Sequence, residues 1–163
     1  MVHRDNNRRL PILLILILFA LAGCRAELSE EARAENALGD FFAHLSLGQY
    51  REAAELYEGS YEILISFNPD LDPVDHPALW ERACTVNGYQ CLELRELLEV
   101  EEFSPGSYYL TVTLQTAEGD IYQRGPCCGA GASDEPPHTE FTFRVVRDEG
   151  GQFKVLDPPV YVP

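Results

Sequence analysis

Basic residues are scarce in this sequence. The chain has 163 residues, of which 12 are Lys or Arg and 27 are Asp or Glu, so its formal net charge at pH 7 is −15. Nucleic-acid phosphates are bound by clustered Lys and Arg side chains, and the charge balance therefore argues against nucleic acid as a partner. It also argues against electrostatic attachment to anionic lipid. The length corresponds to one domain.

No apolar run in the chain is long enough to span a bilayer. The longest run, from Leu10 to Ala22, is shorter than the about 20 residues that a membrane-spanning helix needs. It follows Arg4, Arg8 and Arg9, and a basic start before a short apolar run is typical of a secretory signal peptide. We therefore expect residues 1–23 to be a signal peptide and the protein to be exported.

The end of this run, Leu21-Ala22-Gly23-Cys24, resembles the lipobox of bacterial lipoproteins. The resemblance implies cleavage before Cys24 and a diacylglyceryl thioether on its sulfur, which would hold the protein on the extracytoplasmic side of a membrane in the bacterial cell envelope. Residues 24–28 would then be a short tether, and residues 29–163 would form a single domain. The alternative is an ordinary signal peptide cut after Ala22, which also fits the small-residue rule.

Short motifs that identify an enzyme are also absent. The sequence contains no G-x-S-x-G, G-K-[ST] or H-E-x-x-H pattern, and we assign no catalytic residue, metal ligand or cofactor. Asp40 and His44 have the i, i+4 spacing of a general base and its orienting partner. The helical pattern places both opposite Leu38 and Phe42, toward solvent, so we predict a weak surface pair.

The first half of the expected domain has helical periodicity. Ser29 is suited to cap a helix that ends near Gly48, and one apolar stripe recurs between them at helical spacing. The stripe consists of Ala34, Leu38, Phe41, Phe42 and Leu45. A second helix is predicted from Tyr50 to Tyr57 and a third from Ala78 to Thr85, with a Pro- and Asp-rich loop over residues 68–77 between them.

From Glu99 onward the spacing of apolar residues changes from a helical period of 3.6 residues to a strand period of two residues. Three segments alternate apolar and polar side chains, which predicts half-buried antiparallel strands over residues 108–115, 141–146 and 152–155. Glu99 to Phe103 is predicted as an additional edge strand, and residues 92–98 fit either a short helix or the beginning of a strand. The order of elements predicts an α+β domain, with N-terminal helices packed on one face of a curved antiparallel sheet.

Three features of the helical half occur together: the apolar stripe before Gly48-Gln49-Tyr50, then Ala53-Ala54 and Tyr57 in the second helix, and Trp80 in the third. In this order, and before a sheet, they resemble the nuclear transport factor two-like cone, a cystatin-like α+β fold, and more narrowly the small secreted lipoproteins built on it. The resemblance implies a cone that can hold a small apolar ligand, and a homodimer formed through the outer face of the sheet. Enzymes of the isomerase or cyclase kind on this fold place an Asp or a Tyr/His pair inside the cone, and the sequence does not identify such a pair here.

Tyr57, Trp80 and Tyr108 are the candidate residues for lining a pocket in such a cone. In an open cone their rings, together with that of Tyr61, would contact the ligand. A domain of this size also needs its aromatic side chains for burial. A place in the core is therefore the alternative, and it is the one we favour.

Five cysteines are present, and setting Cys24 aside leaves an even number, which predicts disulfide bonds in an exported domain. Cys84 and Cys91 flank Asn87-Gly88, a strong turn signal. A turn there can bring the two sulfurs together, so we expect a Cys84–Cys91 disulfide on local geometry.

Cys127 and Cys128 are adjacent, which leaves two pairings open. They would form either a vicinal disulfide with each other or crossed disulfides with the other two cysteines. A further alternative is thiol redox chemistry or metal binding, with Asp134 and His138 in the same loop. Because the spacing is not C-x-x-C, we favour a structural role over that alternative.

The loop over residues 68–77 places oxygen-bearing side chains at alternate positions, as calcium loops do. A calcium loop of the EF-hand type would need Gly where Pro73 stands and Glu where Leu79 stands. Both requirements fail, so an ordinary acidic surface loop is predicted.

These observations predict a membrane-anchored binding or accessory module, which would present its cone or sheet face to a small apolar ligand or an envelope protein. The alternative is a cone-fold enzyme of the isomerase or cyclase type, acting on a small apolar substrate. That enzyme would need a buried carboxylate or His–Asp pair facing an open cavity.

Overall fold

The computed structural model describes residues 28–125 and 136–162. Within these residues, four α-helices precede four β-strands. The helices are α1 (Glu30–Ser46), α2 (Tyr50–Leu56), α3 (Glu62–Phe67) and α4 (His76–Thr85). The strands are β1 (Glu93–Ser104), β2 (Ser107–Gln115), β3 (Glu140–Arg147) and β4 (Phe153–Val155). The predicted α+β class is confirmed.

The sheet is an antiparallel meander in the order β1-β2-β3-β4. A tight turn joins β1 to β2, where Ser104 pairs with Ser107 and Gly106 has a φ of 73°, a conformation that glycine adopts without strain. The sequence of residues 92–98 was compatible with either a short helix or the beginning of a strand. In the structure most of this segment belongs to β1, so the predicted edge strand begins earlier than Glu99. Shifts in the register of β1 against β2 mark β-bulges, which bend and twist this edge strand.

Helix α1 forms as its sequence pattern predicts. The Ser29 hydroxyl accepts a hydrogen bond from the Ala32 amide at 3.2 Å, which caps the first turn. Gly48 follows the helix with a φ of 72°, and its amide donates to the Leu45 carbonyl at 3.1 Å. All five residues of the predicted stripe are buried.

The sequence pattern does not predict helix α3. It has six residues, of which Leu64 is buried, and a helix of this length is too short to display a periodic apolar face. Helix α4 begins two residues earlier than expected, at His76. The Asp75 carboxylate caps it by accepting a hydrogen bond from the Ala78 amide at 3.2 Å, and Pro77 fits the first turn, where its missing N–H has no helical partner.

The core lies between the helices and one face of the sheet. Alternate side chains of β2 and β3 point into it, and α1 covers this face. The buried sheet residues include Tyr108, Leu110, Val112, Leu114, Phe141, Phe143 and Val145. No helix within residues 28–125 and 136–162 is long and apolar enough to cross a membrane.

The C-terminal segment, residues 156–162, returns to the helical half of the domain. The Gln90 amide donates to the Val160 carbonyl at 2.8 Å, and the Val162 amide donates to the Gly88 carbonyl at 3.1 Å. These bonds form a short antiparallel bridge between Tyr89 and Tyr161. The segment thus ties the end of the described chain to the loop between α4 and β1.

Candidate functional site

Aromatic side chains fill the interior between the helices and the sheet. The ring centroid of Phe41 lies 5.5 Å from that of Phe42, 5.8 Å from that of Tyr57 and 5.6 Å from that of Trp80. Phe42 in turn contacts Phe143 of β3, with centroids 4.9 Å apart. Contacts of this kind replace the space that a ligand in an open cone would occupy.

The three candidate pocket residues lie in this core. Trp80 is fully buried, and Tyr108 and Tyr57 are 3% and 7% exposed. Tyr108 packs against Phe153 of β4, with ring centroids 5.9 Å apart. Trp80 and Tyr108 thus contribute to packing, whereas one side of Tyr57 also reaches a small surface groove.

Trp80 and Tyr61 form a polar contact at the edge of the core. The Trp80 indole N–H donates to the Tyr61 hydroxyl oxygen at 3.1 Å, and the Tyr61 ring stacks on His76, with centroids 3.8 Å apart. Burial raises the pKa of Tyr61 to about 12, although the hydrogen bond from Trp80 acts in the opposite direction. Tyr61 is therefore protonated at neutral pH.

Tyr57 is also protonated at neutral pH. Burial raises the pKa of its hydroxyl, and the neighbouring Tyr61 and Asp157 add to the effect. The Tyr57 hydroxyl donates to the Ser60 carbonyl at 3.2 Å. A tyrosine with a raised pKa and an engaged proton does not serve as a general base at neutral pH.

The groove beside Tyr57 lies between α3 and the C-terminal segment and has a volume of about 290 Å3. Its lining combines apolar side chains with one ion pair. The lining residues are Tyr57, Ser60, Glu62, Ile63, Leu64, Tyr89, Arg144, Leu156, Asp157 and Pro158. Arg144 binds Asp157 through its backbone amide at 2.8 Å and through its guanidinium, whose closest approach is 2.6 Å. These bonds raise the pKa of Arg144, so the groove wall carries a fixed, internally neutralised pair.

Exposed apolar side chains continue from this groove across α3. Ile63 and Phe67 are one helical turn apart, and they are 58% and 45% exposed. The Phe67 ring lies 5.8 Å from that of Tyr161, which is 40% exposed and lies 5.3 Å from that of Tyr89. We call Ile63, Phe67, Tyr161 and the adjoining groove the α3 surface.

A second groove, of about 510 Å3, lies between α1, α2 and β4. Its cations are already engaged: Arg33 lies 5.2 Å from the Phe153 ring centroid, and Lys154 Nζ donates to the Glu55 carbonyl at 2.7 Å. Asp40 and His44 both line this groove. The His44 Nδ1 lies 2.6 Å from the Gln49 side-chain oxygen, so its contact in the structure is with Gln49.

The buried polar side chains in the described residues are those of Asn68 and Thr113. Asn68 donates to the Leu64 carbonyl at 2.7 Å and to the Asn87 side-chain oxygen at 3.0 Å, which is a structural role. Within residues 28–125 and 136–162, no carboxyl or imidazole group is buried. The buried acid or His–Asp pair that a cone-fold enzyme needs is not found in this part of the chain.

Carboxylates of the acidic loop before α4 have local structural partners. Asp70 pairs with Arg82 at 3.2 Å, Asp72 accepts a hydrogen bond from the Val74 amide at 3.1 Å, and Asp75 caps α4. The described residues contain no group of three or more His, Cys, Asp or Glu side chains arranged to hold a metal ion.

Cys84 and Cys91 are joined in a disulfide, with their Cα atoms 5.5 Å apart, as the turn at Asn87-Gly88 predicts. Crossed pairing of these two cysteines with the doublet is therefore wrong. The predicted signal peptide over residues 1–23, the predicted lipidation site Cys24, and Cys127, Cys128 and Asp134 lie outside the described residues.

Comparisons with known proteins do not extend this description: no protein-family model matches the chain, and no curated protein matches it either.

Proposed function

We propose that this protein is a non-enzymatic binding module, anchored through Cys24 to the extracytoplasmic side of a bacterial membrane, and that its partner is an envelope protein bound at the α3 surface. The observation that carries the proposal is the exposure of Ile63, Phe67 and Tyr161 next to one groove, above an interior filled with side chains. Contiguous exposed apolar side chains with polar surroundings are typical of protein interaction sites.

The size of the groove favours a protein over a small molecule. Its volume of about 290 Å3 lies at the lower limit of the roughly 300–1,000 Å3 that is usual for small-molecule sites. Apolar side chains of a partner can enter such a space, while Phe67 and Tyr161 supply flat aromatic contact area around it. The groove between α1, α2 and β4 has charged walls and is less suited to an apolar ligand.

The charge of the chain limits the chemistry of the partner. With a formal net charge of −15, the protein attracts surfaces that are rich in Lys and Arg. Glu62 is exposed at the rim of the groove. The partner that fits is therefore an apolar side chain flanked by basic residues, on a protein of the same compartment.

The membrane anchor and the fold family are parts of the same proposal. The anchor is supported by the basic start, the short apolar run and Leu21-Ala22-Gly23-Cys24. The cystatin-like cone is supported by the order of helices and strands and by packing of the helices on one face of the sheet. We propose that this cone is of a filled type, with its binding surface outside.

Site-specific photocrosslinking in the producing bacterium tests the proposal. A photoreactive phenylalanine analogue at position 63 or 67 is expected to give one discrete adduct with an envelope protein at native expression level. The matched control is position 121, because Ile121 is 42% exposed but lies on the hairpin after β2. The substitution Ile63→Asp should abolish the adduct formed from position 67.

Two results would contradict the proposal. The first is that positions 63 and 67 yield no more adduct than position 121. The second is a mature protein whose Cys24 carries no lipid by mass spectrometry, which would remove the anchor and leave the interaction at the α3 surface to be judged by crosslinking alone.

A further inference from the structure

The proposed anchor would emerge from the end of the domain at which α1 begins. The described chain begins at Leu28, which is 59% exposed and stands two residues before α1. Four residues beyond Cys24 reach at most about 14 Å, because an extended chain spans about 3.5 Å per residue. Whatever lies beside the N-terminus of α1 is therefore close to the bilayer in the anchored protein.

The turn between β1 and β2 lies at this same end. Arg147 joins the two features: its guanidinium pairs with Glu30 in the first turn of α1, and its backbone amide donates to the Gly106 carbonyl at 2.8 Å. Gly106 is in the β1–β2 turn. The tip of this hairpin and the start of α1 thus lie side by side.

Two exposed aromatic residues flank this turn. Phe103 and Tyr109 are 44% and 37% exposed, and their ring centroids are 4.4 Å apart. Ser104 and Ser107 form the pair that closes the hairpin. Phe103 comes one residue before Ser104, and Tyr109 comes two residues after Ser107, so both lie within about 7 Å of the turn along the strands. Tyr109 alternates with the buried Tyr108, so it points away from the core.

We infer that Phe103 and Tyr109 contact the headgroup region of the membrane and orient the anchored domain, with the lipid surface as their partner. Aromatic side chains are favoured at the interface between headgroups and acyl chains. This inference rests on the proposed anchor at Cys24. Tyr109 lies between Glu101 of β1 and Arg144 of β3, and that arginine is already paired with Asp157. The contact is therefore to zwitterionic lipid through the rings and does not depend on basic residues.

Depth-dependent fluorescence quenching tests the inference on the full, lipidated protein. The variant Phe103→Trp is reconstituted into phosphatidylcholine vesicles with or without bromine on the acyl chains. The native Trp80 is fully buried in the core, and the parent protein supplies its baseline emission. The matched control is Leu47→Trp: Leu47 is 66% exposed and follows the C-terminus of α1, about 25 Å from its start.

The expected result is a loss of emission from position 103 in brominated vesicles and none from position 47. Equal quenching at both positions, or none at either, in protein that floats with the vesicles would overturn the inference while the anchor stands. Protein that carries no lipid at Cys24 and does not float would overturn both the inference and the anchor. Circular dichroism of the two variants checks that each is folded.

Discussion

Trp80 and Tyr61 are joined by a hydrogen bond in which the indole N–H donates to the phenolic oxygen at 3.1 Å. Trp80 is fully buried, so its N–H has no access to water if this acceptor is lost. The bond connects α4 to the residue that precedes α3, and the Tyr61 ring stacks on His76 on its other side. The position of α3, and with it the α3 surface, depends on this contact.

The substitution Tyr61→Phe should lower the free energy of unfolding by about 1–3 kcal/mol, because it leaves a buried N–H group without an acceptor. The phenylalanine ring retains the stacking on His76. Urea unfolding followed by Trp80 fluorescence measures the effect, and the m-value should not change. Tyr161→Phe, at an exposed position, is the control and should be nearly neutral. Equal midpoints for the two variants would show that the indole bond contributes nothing.

The same tyrosine should make stability fall at high pH. Its pKa is 10.0 when unperturbed and is raised to about 12 in the folded protein by burial. The neutral form is therefore favoured by folding, and this contribution is fully present below pH 10 and is lost as pH rises toward 12. Urea midpoints measured across this range should fall less steeply for Tyr61→Phe than for the parent. Parallel pH profiles would contradict this assignment.

Opening the Cys84–Cys91 disulfide should destabilise the domain by about 2.5 kcal/mol, the chain-entropy value for closing a loop of this length. The double substitution Cys84→Ala/Cys91→Ala and reduction of the parent with dithiothreitol should give similar losses. The loop that the disulfide closes also holds the C-terminal segment through Gly88 and Gln90. Hydrogen exchange at the amides of Gln90 and Val162 should therefore accelerate, whereas unchanged exchange would show that the segment is held independently of the disulfide.

Two glycines should respond oppositely to substitution by alanine. A Cβ on Gly59 would lie 2.0 Å from the Leu156 carbonyl oxygen and 2.4 Å from the Tyr57 hydroxyl, so Gly59→Ala should cost about 1–3 kcal/mol and displace the wall of the groove. A Cβ on Gly39, inside α1, would meet nothing within 4 Å, and Gly39→Ala should stabilise by about 0.5–1 kcal/mol. Thermal and urea unfolding of both variants measures the difference. The same sign for both changes would contradict the packing at Gly59.

The elements with a long, regular pattern could be predicted from the sequence, because burial of one face imposes a period on the side chains. Helix α1 and strands β2 and β3 are examples. The disulfide was predictable for a similar reason, since a turn signal stood between the two cysteines. In each case, the pattern that predicts the structure lies within a short stretch of sequence.

The α3 surface could not be predicted, because its cause is not local. Helix α3 is too short to show a period, and its exposed Ile63 and Phe67 carry no sequence signal that distinguishes them from core residues. The groove forms only when Tyr57, Arg144 and the C-terminal segment meet, and these are widely separated along the chain. The signal that the sequence did contain was the spacing of Ile63 and Phe67, two large apolar residues four apart in a segment for which no structure was predicted.

Strand β1 forms one edge of the described sheet and is the longest strand in it. Glutamates occur throughout this strand, at Glu93, Glu96, Glu99, Glu101 and Glu102. An edge strand is a template on which further strands can add, and two copies of β1 aligned side by side would bring these carboxylates together. Like charges placed directly opposite one another are unfavourable, so the glutamates of β1 oppose edge-to-edge pairing of two copies and growth of their sheets into a fibre.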